Sequence, residues 1–178
     1  MKTKLLIVMV SVFFAMITYR PIYASGIVTV CDEASLVSAL ASGGIVDFAI
    51  GADCTIPFTS EKIISSNTTI QNTSAYFVWF DGGGTTRFFT VNSGISLTVD
   101  NVILQNGSAL SGGAIYNNGG NLTITDSVLS GNDAMQNGNP SGGAIYSASG
   151  TLTVDNSYFD DNLALFGAAI QGDFNNIT

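Results

Sequence analysis

Leu97-Thr98-Val99-Asp100-Asn101 returns as Leu122-Thr123-Ile124-Thr125-Asp126 and again as Leu152-Thr153-Val154-Asp155-Asn156, at offsets of 25 and 30 residues. A second phrase travels with it: Gly112-Gly113-Ala114-Ile115-Tyr116, Gly142-Gly143-Ala144-Ile145-Tyr146, then Gly167-Ala168-Ala169-Ile170. Leu104, Leu129 and Phe159 stand at matching positions, with Asn132 and Asn162 three residues after the last two. Self-similarity at such a period marks a chain built of stacked repeats. Apolar and polar residues alternate within each phrase, which is the period of a strand. One repeat cannot bury its inward side alone, whereas a stack can. Leu97, Leu122 and Leu152 are then one internal ladder and Val99, Ile124 and Val154 another, with rungs about 4.8 Å apart. Gly112 and Gly142 recur at one corner, where a missing Cβ permits unusual backbone angles. Asn101, Asp126 and Asn156 recur at a second corner, where Asx side chains bond turn backbone. The expected architecture is all-β, a right-handed single-stranded parallel β-helix (β-solenoid), its hand following the general preference of parallel crossovers. Its coils are expected over residues 56–178, irregular between 55 and 95, with Asn137 to Pro140 bulging from one corner.

The residues ahead of the repeats read as a cap, 25–55. Gly26–Val30 is a short strand. Asp32 suits the N-cap of a helix over Glu33–Leu40 whose Leu36, Val37 and Leu40 share one face. Ser42-Gly43-Gly44 ends that helix, and Ile45–Ile50 alternates again with Val46, Phe48 and Ile50 inward. Residues 1–24 read as a secretory signal: Lys2 and Lys4, an apolar-dominated run over Leu5–Thr18, then Ile22-Tyr23-Ala24 as the cleavage site. Export leaves no membrane span and puts Cys31 and Cys54, the two cysteines of the chain, in an oxidising compartment. A Cys31–Cys54 bridge would tie the cap to the first coil and stabilise by about 3 kcal/mol in the chain-entropy treatment. At the other end the pattern runs out at Ile177-Thr178, where the next strand is due. The β-helix therefore reads as incomplete there, and self-association through that open end is expected.

The chain carries 13 acids, 5 basic residues and no histidine, for a net charge of −8. Cleavage would leave Lys62 and Arg87 against all 13 acids, a charge of −11. Nucleic-acid binding, which draws on Lys and Arg at phosphates, is excluded. Without histidine the commonest metal-ligand and acid–base side chain is missing, and neither a metal site nor a cofactor is expected.

The Gly-Gly-Ala-Ile-Tyr runs at 112 and 142, with Phe159-Asp160-Asp161-Asn162, resemble the GGAI and FxxN tetrads of polymorphic outer membrane proteins. More broadly, residues 26–178 resemble bacterial right-handed β-helix repeat proteins of the secreted or autotransporter-passenger kind. Leu129 departs from the tetrad's Phe, and Ala168 replaces its second Gly. The resemblance implies a pectin-lyase-like fold and an extracellular or cell-surface, outer-membrane-associated protein. Its implied role is structural or adhesin-like, toward a glycan or a cell-surface receptor.

The alternative on the same scaffold is a carbohydrate-active enzyme, a pectin-lyase-like lyase or hydrolase, or a carbohydrate-binding module. A hydrolase of that kind would need clustered Asp with His and basic residues. A lyase would need a base for proton abstraction, and Arg87 is the one serious candidate. Asp160-Asp161 looks like an acid pair, but adjacent strand residues face opposite ways, so turn and solvated-surface duty is expected. Thr98, Thr123 and Thr153 should align outward, flanked by Asp100, Thr125 and Asp155. The two Asp then lie two rungs, about 9.6 Å, apart, too far for one calcium between them. No catalytic residue is assigned. In Tyr76-Phe77-Val78-Trp79-Phe80, inward Val78 and Phe80 leave Phe77 and Trp79 outward, where exposed rings stack on sugars or partner surfaces. Trp79 and Phe77 are the candidate binding residues.

Overall fold

The computed structural model describes residues 25–135, 140–172 and 176–177. The expected signal segment, residues 137–139 of the insertion and Phe174 lie outside them. In chain order the elements are β1 (Ser25–Val28), α1 (Glu33–Leu40), β2 (Gly44–Phe48), β3 (Cys54–Pro57), β4 (Lys62–Ile64), β5 (Thr68–Gln71), β6 (Val78–Asp81), β7 (Phe89–Val91) and β8 (Ser96–Asp100). They continue with β9 (Ile103–Gln105), β10 (Ile115–Thr125), β11 (Val128–Ser130), β12 (Ile145–Asp155), β13 (Tyr158–Asp160), β14 (Ile170–Gly172) and β15 (Asn176–Ile177). The described chain is all-β apart from one short helix, and every strand pairing in it is parallel.

The strands form two sheets. In one, the order β1-β2-β5-β8-β10-β12-β14 is joined by β4 and β7 beside the first part of β10 and by β15 beside β12. The other runs β13-β11-β9-β6-β3. Both long strands, β10 and β12, turn at a glycine of positive φ, Gly119 (+87°) and Gly150 (+88°). The repeated phrases fall in register. Leu122 lies between Leu97 and Leu152, and Ile124 between Val99 and Val154. Leu129 lies between Leu104 and Phe159. Leu97, Leu122 and Leu152 are buried, as are Val99, Ile124, Leu104 and Leu129. Ile177 pairs with Leu152, so the expected next strand does begin there.

The glycine corner has two physical reasons. Gly112, Gly142 and Gly167 sit at φ +64°, +62° and +58°, which a side chain rarely tolerates. Gly113 and Gly143 are needed for proximity: a Cβ on Gly143 would stand 2.0 Å from the carbonyl oxygen of Ala168. Ala168 itself is exposed, which accounts for the Cβ there. The Asx corner is also left-handed, with φ of +55° at Asn101, +48° at Asp126 and +45° at Asn156. Its side chains bond across rungs: Asn101 Nδ2 donates to the Asn72 carbonyl at 2.7 Å, and Asn156 Nδ2 to the Asp126 carboxylate. Buried Asn132 is fully engaged, donating to the Leu104 carbonyl and to Asn162 Oδ1 and accepting from Gly107 N–H.

Between residues 48 and 89 the core is aromatic. Phe58 lies 5.1 Å from Phe80 and 4.9 Å from Phe88, centroid to centroid, and Phe48 and Phe89 complete the cluster. The helix of the expected cap packs on β1 and β2. Helix α1 runs Glu33–Leu40 as expected, with Asp32 Oδ1 accepting from Ser35 N–H at 2.7 Å. Leu36 is buried beneath it, whereas Val37 is exposed. Cys31 and Cys54 are disulfide-bonded. The two cap strands are shorter than their alternation suggests, because Val28↔Phe48 is the last register pair and β1 then turns to reach the helix. Among the described residues no helix is long and apolar enough to cross a membrane.

Candidate binding face

Strands β9, β11 and β13 are three residues each, and the middle residue of each points inward. Their outer residues therefore lie on one exposed face with those of β3 and β6. Register sets them in two rows. The first is Thr55, Trp79, Ile103, Val128, Tyr158. The second is Pro57, Asp81, Gln105, Ser130, Asp160. Val78 and Phe80 are buried and Phe77 and Trp79 lie on the outside, as the alternation requires. Phe77 is 61% exposed and Trp79 half-buried, with ring centroids 5.4 Å apart. Tyr158, at the far end of the row, is also 61% exposed.

The approach to this face is pinned. Phe77 N–H donates to Asp53 Oδ1 at 3.0 Å, and its carbonyl accepts from Cys54 N–H at 2.9 Å. Cys54 is in register with Val78, so the disulfide braces the strand beside Trp79. Asn72 holds the preceding turn, donating to the Tyr76 carbonyl and accepting from Ser74. In the second row, Asp81 accepts from Gly83 N–H at 2.9 Å, Asn106 Nδ2 at 3.1 Å and Gln105 Nε2 at 3.3 Å. Burial pushes the Asp81 carboxyl up, but those donors outweigh it and hold the group below the usual carboxylate range.

The other candidates resolve differently. The Arg87 guanidinium donates to the Gly112 and Ser111 carbonyls, to Glu61 and to Thr90, and lies 5.1 Å from the Tyr116 ring, which stacks on Tyr146. It clamps the glycine corner. Lys62 is tied to Glu33 and Ser60. Asp160 is an outer strand residue in register with Ser130, but Asp161 has left the strand at φ +48°, so strand alternation does not apply to it and both carboxylates are exposed. Thr98, Thr123 and Thr153 align as expected, and Thr69 extends the row. A cleft of about 290 Å³ between α1 and β4 is lined by apolar Val37, Leu40, Ile63 and Ile64 and by polar Ser65, Ser66 and Thr68, and its charged groups Glu61 and Lys62 are paired with Arg87 and Glu33. The row Ile103–Val128–Tyr158 is invisible to sequence reasoning, because a three-residue strand shows no periodicity; its one signal is alignment to Trp79 through the repeat offsets. Compared with protein-family models, curated proteins and solved structures, the chain matches none.

Proposed function

We propose that the chain is a right-handed parallel β-helix, exported and held at the cell surface, where it acts as an adhesin-like binding protein. The in-register rungs at 24–30-residue offsets support the winding, and the usual hand of parallel crossovers supports its sense. Resemblance to polymorphic outer membrane protein repeats supports the location. The observation that carries the binding reading is the outward Phe77–Trp79 pair, exposed Phe77 just before β6 and half-buried Trp79 within it, on a segment whose approaches are fixed by hydrogen bonds and a disulfide. Exposed rings on rigid backbone are suited to recognition, since little ordering cost is left for the complex. The enzymatic alternative has Arg87 as its base, and that side chain is committed to four partners. The same reading includes self-association at the last described pass, where Leu163, Leu165 and Phe166 are more than half exposed.

The test is adhesion of labelled protein to a panel of intact cells. Phe77→Ala and Trp79→Ala should each reduce binding with the melting temperature unchanged, and acidic polysaccharides should yield no new reducing ends or unsaturated uronides. Undiminished adhesion by both variants would overturn the binding reading; released products would replace it with the enzymatic one.

A further inference from the structure

The geometry points to an uncharged glycan as the ligand of the five-stranded sheet's outer face, an inference that rests on the adhesin-like reading above. Trp79 and Tyr158 stand three rungs apart, about 14 Å at the spacing of neighbouring strands, with Ile103 and Val128 between them. Phe77 widens the Trp79 end. Such a strip has aromatic rings at both ends and smaller apolar side chains between them, which suits the C–H faces of a short run of pyranose rings.

The parallel row supplies the polar half of the recognition. Asp81, Gln105, Ser130 and Asp160 follow one another a rung apart beside the apolar strip. A carboxylate offers about four acceptor sites, and Asp81 fills three with Gly83, Gln105 and Asn106. One remains for a hydroxyl, on a side chain already fixed in place.

Charge selects among occupants. Two carboxylates line the row and no cation does. Lys62 and Arg87, the two cations among the described residues, are paired with Glu33 and Glu61 elsewhere. A polyuronate would meet only repulsion. A second copy docking the same face would set Asp81 and Asp160 against their own kind. An uncharged glycan meets neither penalty.

Trp79 is the sole tryptophan, so its emission reads the site directly. The folded protein is titrated with soluble xylan, mannan and mixed-linkage β-glucan, with polygalacturonate and polylysine in parallel. One or more neutral polymers should shift and quench Trp79 emission saturably, while polygalacturonate leaves it unmoved. Tyr158→Ala, exposed and three rungs from the probe, should weaken that response by about tenfold, the loss of one ring contact. Its melting temperature should be that of the wild type. The proposal is overturned if no neutral polymer moves the emission, if polygalacturonate or polylysine moves it as well as or better than the neutral polymers, or if emission shifts with protein concentration alone, the mark of a second copy. Should Phe77→Ala and Trp79→Ala lose cell adhesion while every glycan leaves the emission unchanged, only the ligand class fails; should both variants adhere normally, the underlying binding reading fails too.

Discussion

Single residues are decided by which side of a rung they occupy. Ile124 is buried between Val99 and Val154, whereas Thr123, one residue earlier, lies outward between Thr98 and Thr153. Ile124→Asp would place an unpaired charge in a dry stack, a cause of destabilisation of about 4 kcal/mol or more. Thr123→Asp should cost far less. Thermal melts of the pair give the comparison, and equal losses would mean that the register is off by one. These positions are legible in sequence because the same alternation is written three times. The glycine corner is legible only in part. A run of two glycines signals an unusual backbone, but not that the first is needed for its φ and the second for the approach of the next rung. Ala168, which departs from the motif on paper, fits because nothing described crowds it.

At the scale of elements, the cap is fastened to the sheets by charge as well as by the disulfide. The Glu33 carboxylate in the first turn of α1 accepts from Lys62 Nζ, at the start of β4, and from Thr59. Burial opposes ionisation, but these partners prevail and hold the group at about 2 against an ordinary 4.5. A depressed carboxyl adds stability above its unfolded value and loses it as pH falls toward the folded one. Melting temperature should therefore fall between about pH 5 and pH 2 more steeply in the wild type than in Glu33→Gln. Coincident profiles would show that the contact holds nothing. Helix and N-cap follow from local chemistry and are readable at Asp32 and Leu36. The cluster of Phe48, Phe58, Phe80, Phe88 and Phe89 is not, because the repeated phrases of the later coils do not run through residues 48–89 and the ring contacts bridge segments of unlike sequence.

For the whole molecule, one register carries both the core and the proposed binding face. The offsets that bury Leu97 over Leu122 also align Trp79 with Ile103, Val128 and Tyr158, so an error in one is an error in the other. Alternation predicts Phe77 and Trp79 as outward, but the length of the apolar row follows from the pairing of the short strands. The central claim is thus the stacking itself, and cross-linking tests it most directly. Thr98 and Thr123 are register partners on neighbouring rungs, about 4.8 Å apart, within the Cα separation that a disulfide spans. Thr98→Cys with Thr123→Cys, oxidised in the folded protein and read by mass spectrometry of chymotryptic peptides, should give one new bridge alongside Cys31–Cys54. A free thiol pair at 98 and 123, with bridging instead between Thr98→Cys and Thr125→Cys, would contradict the stacking and the proposed binding face with it.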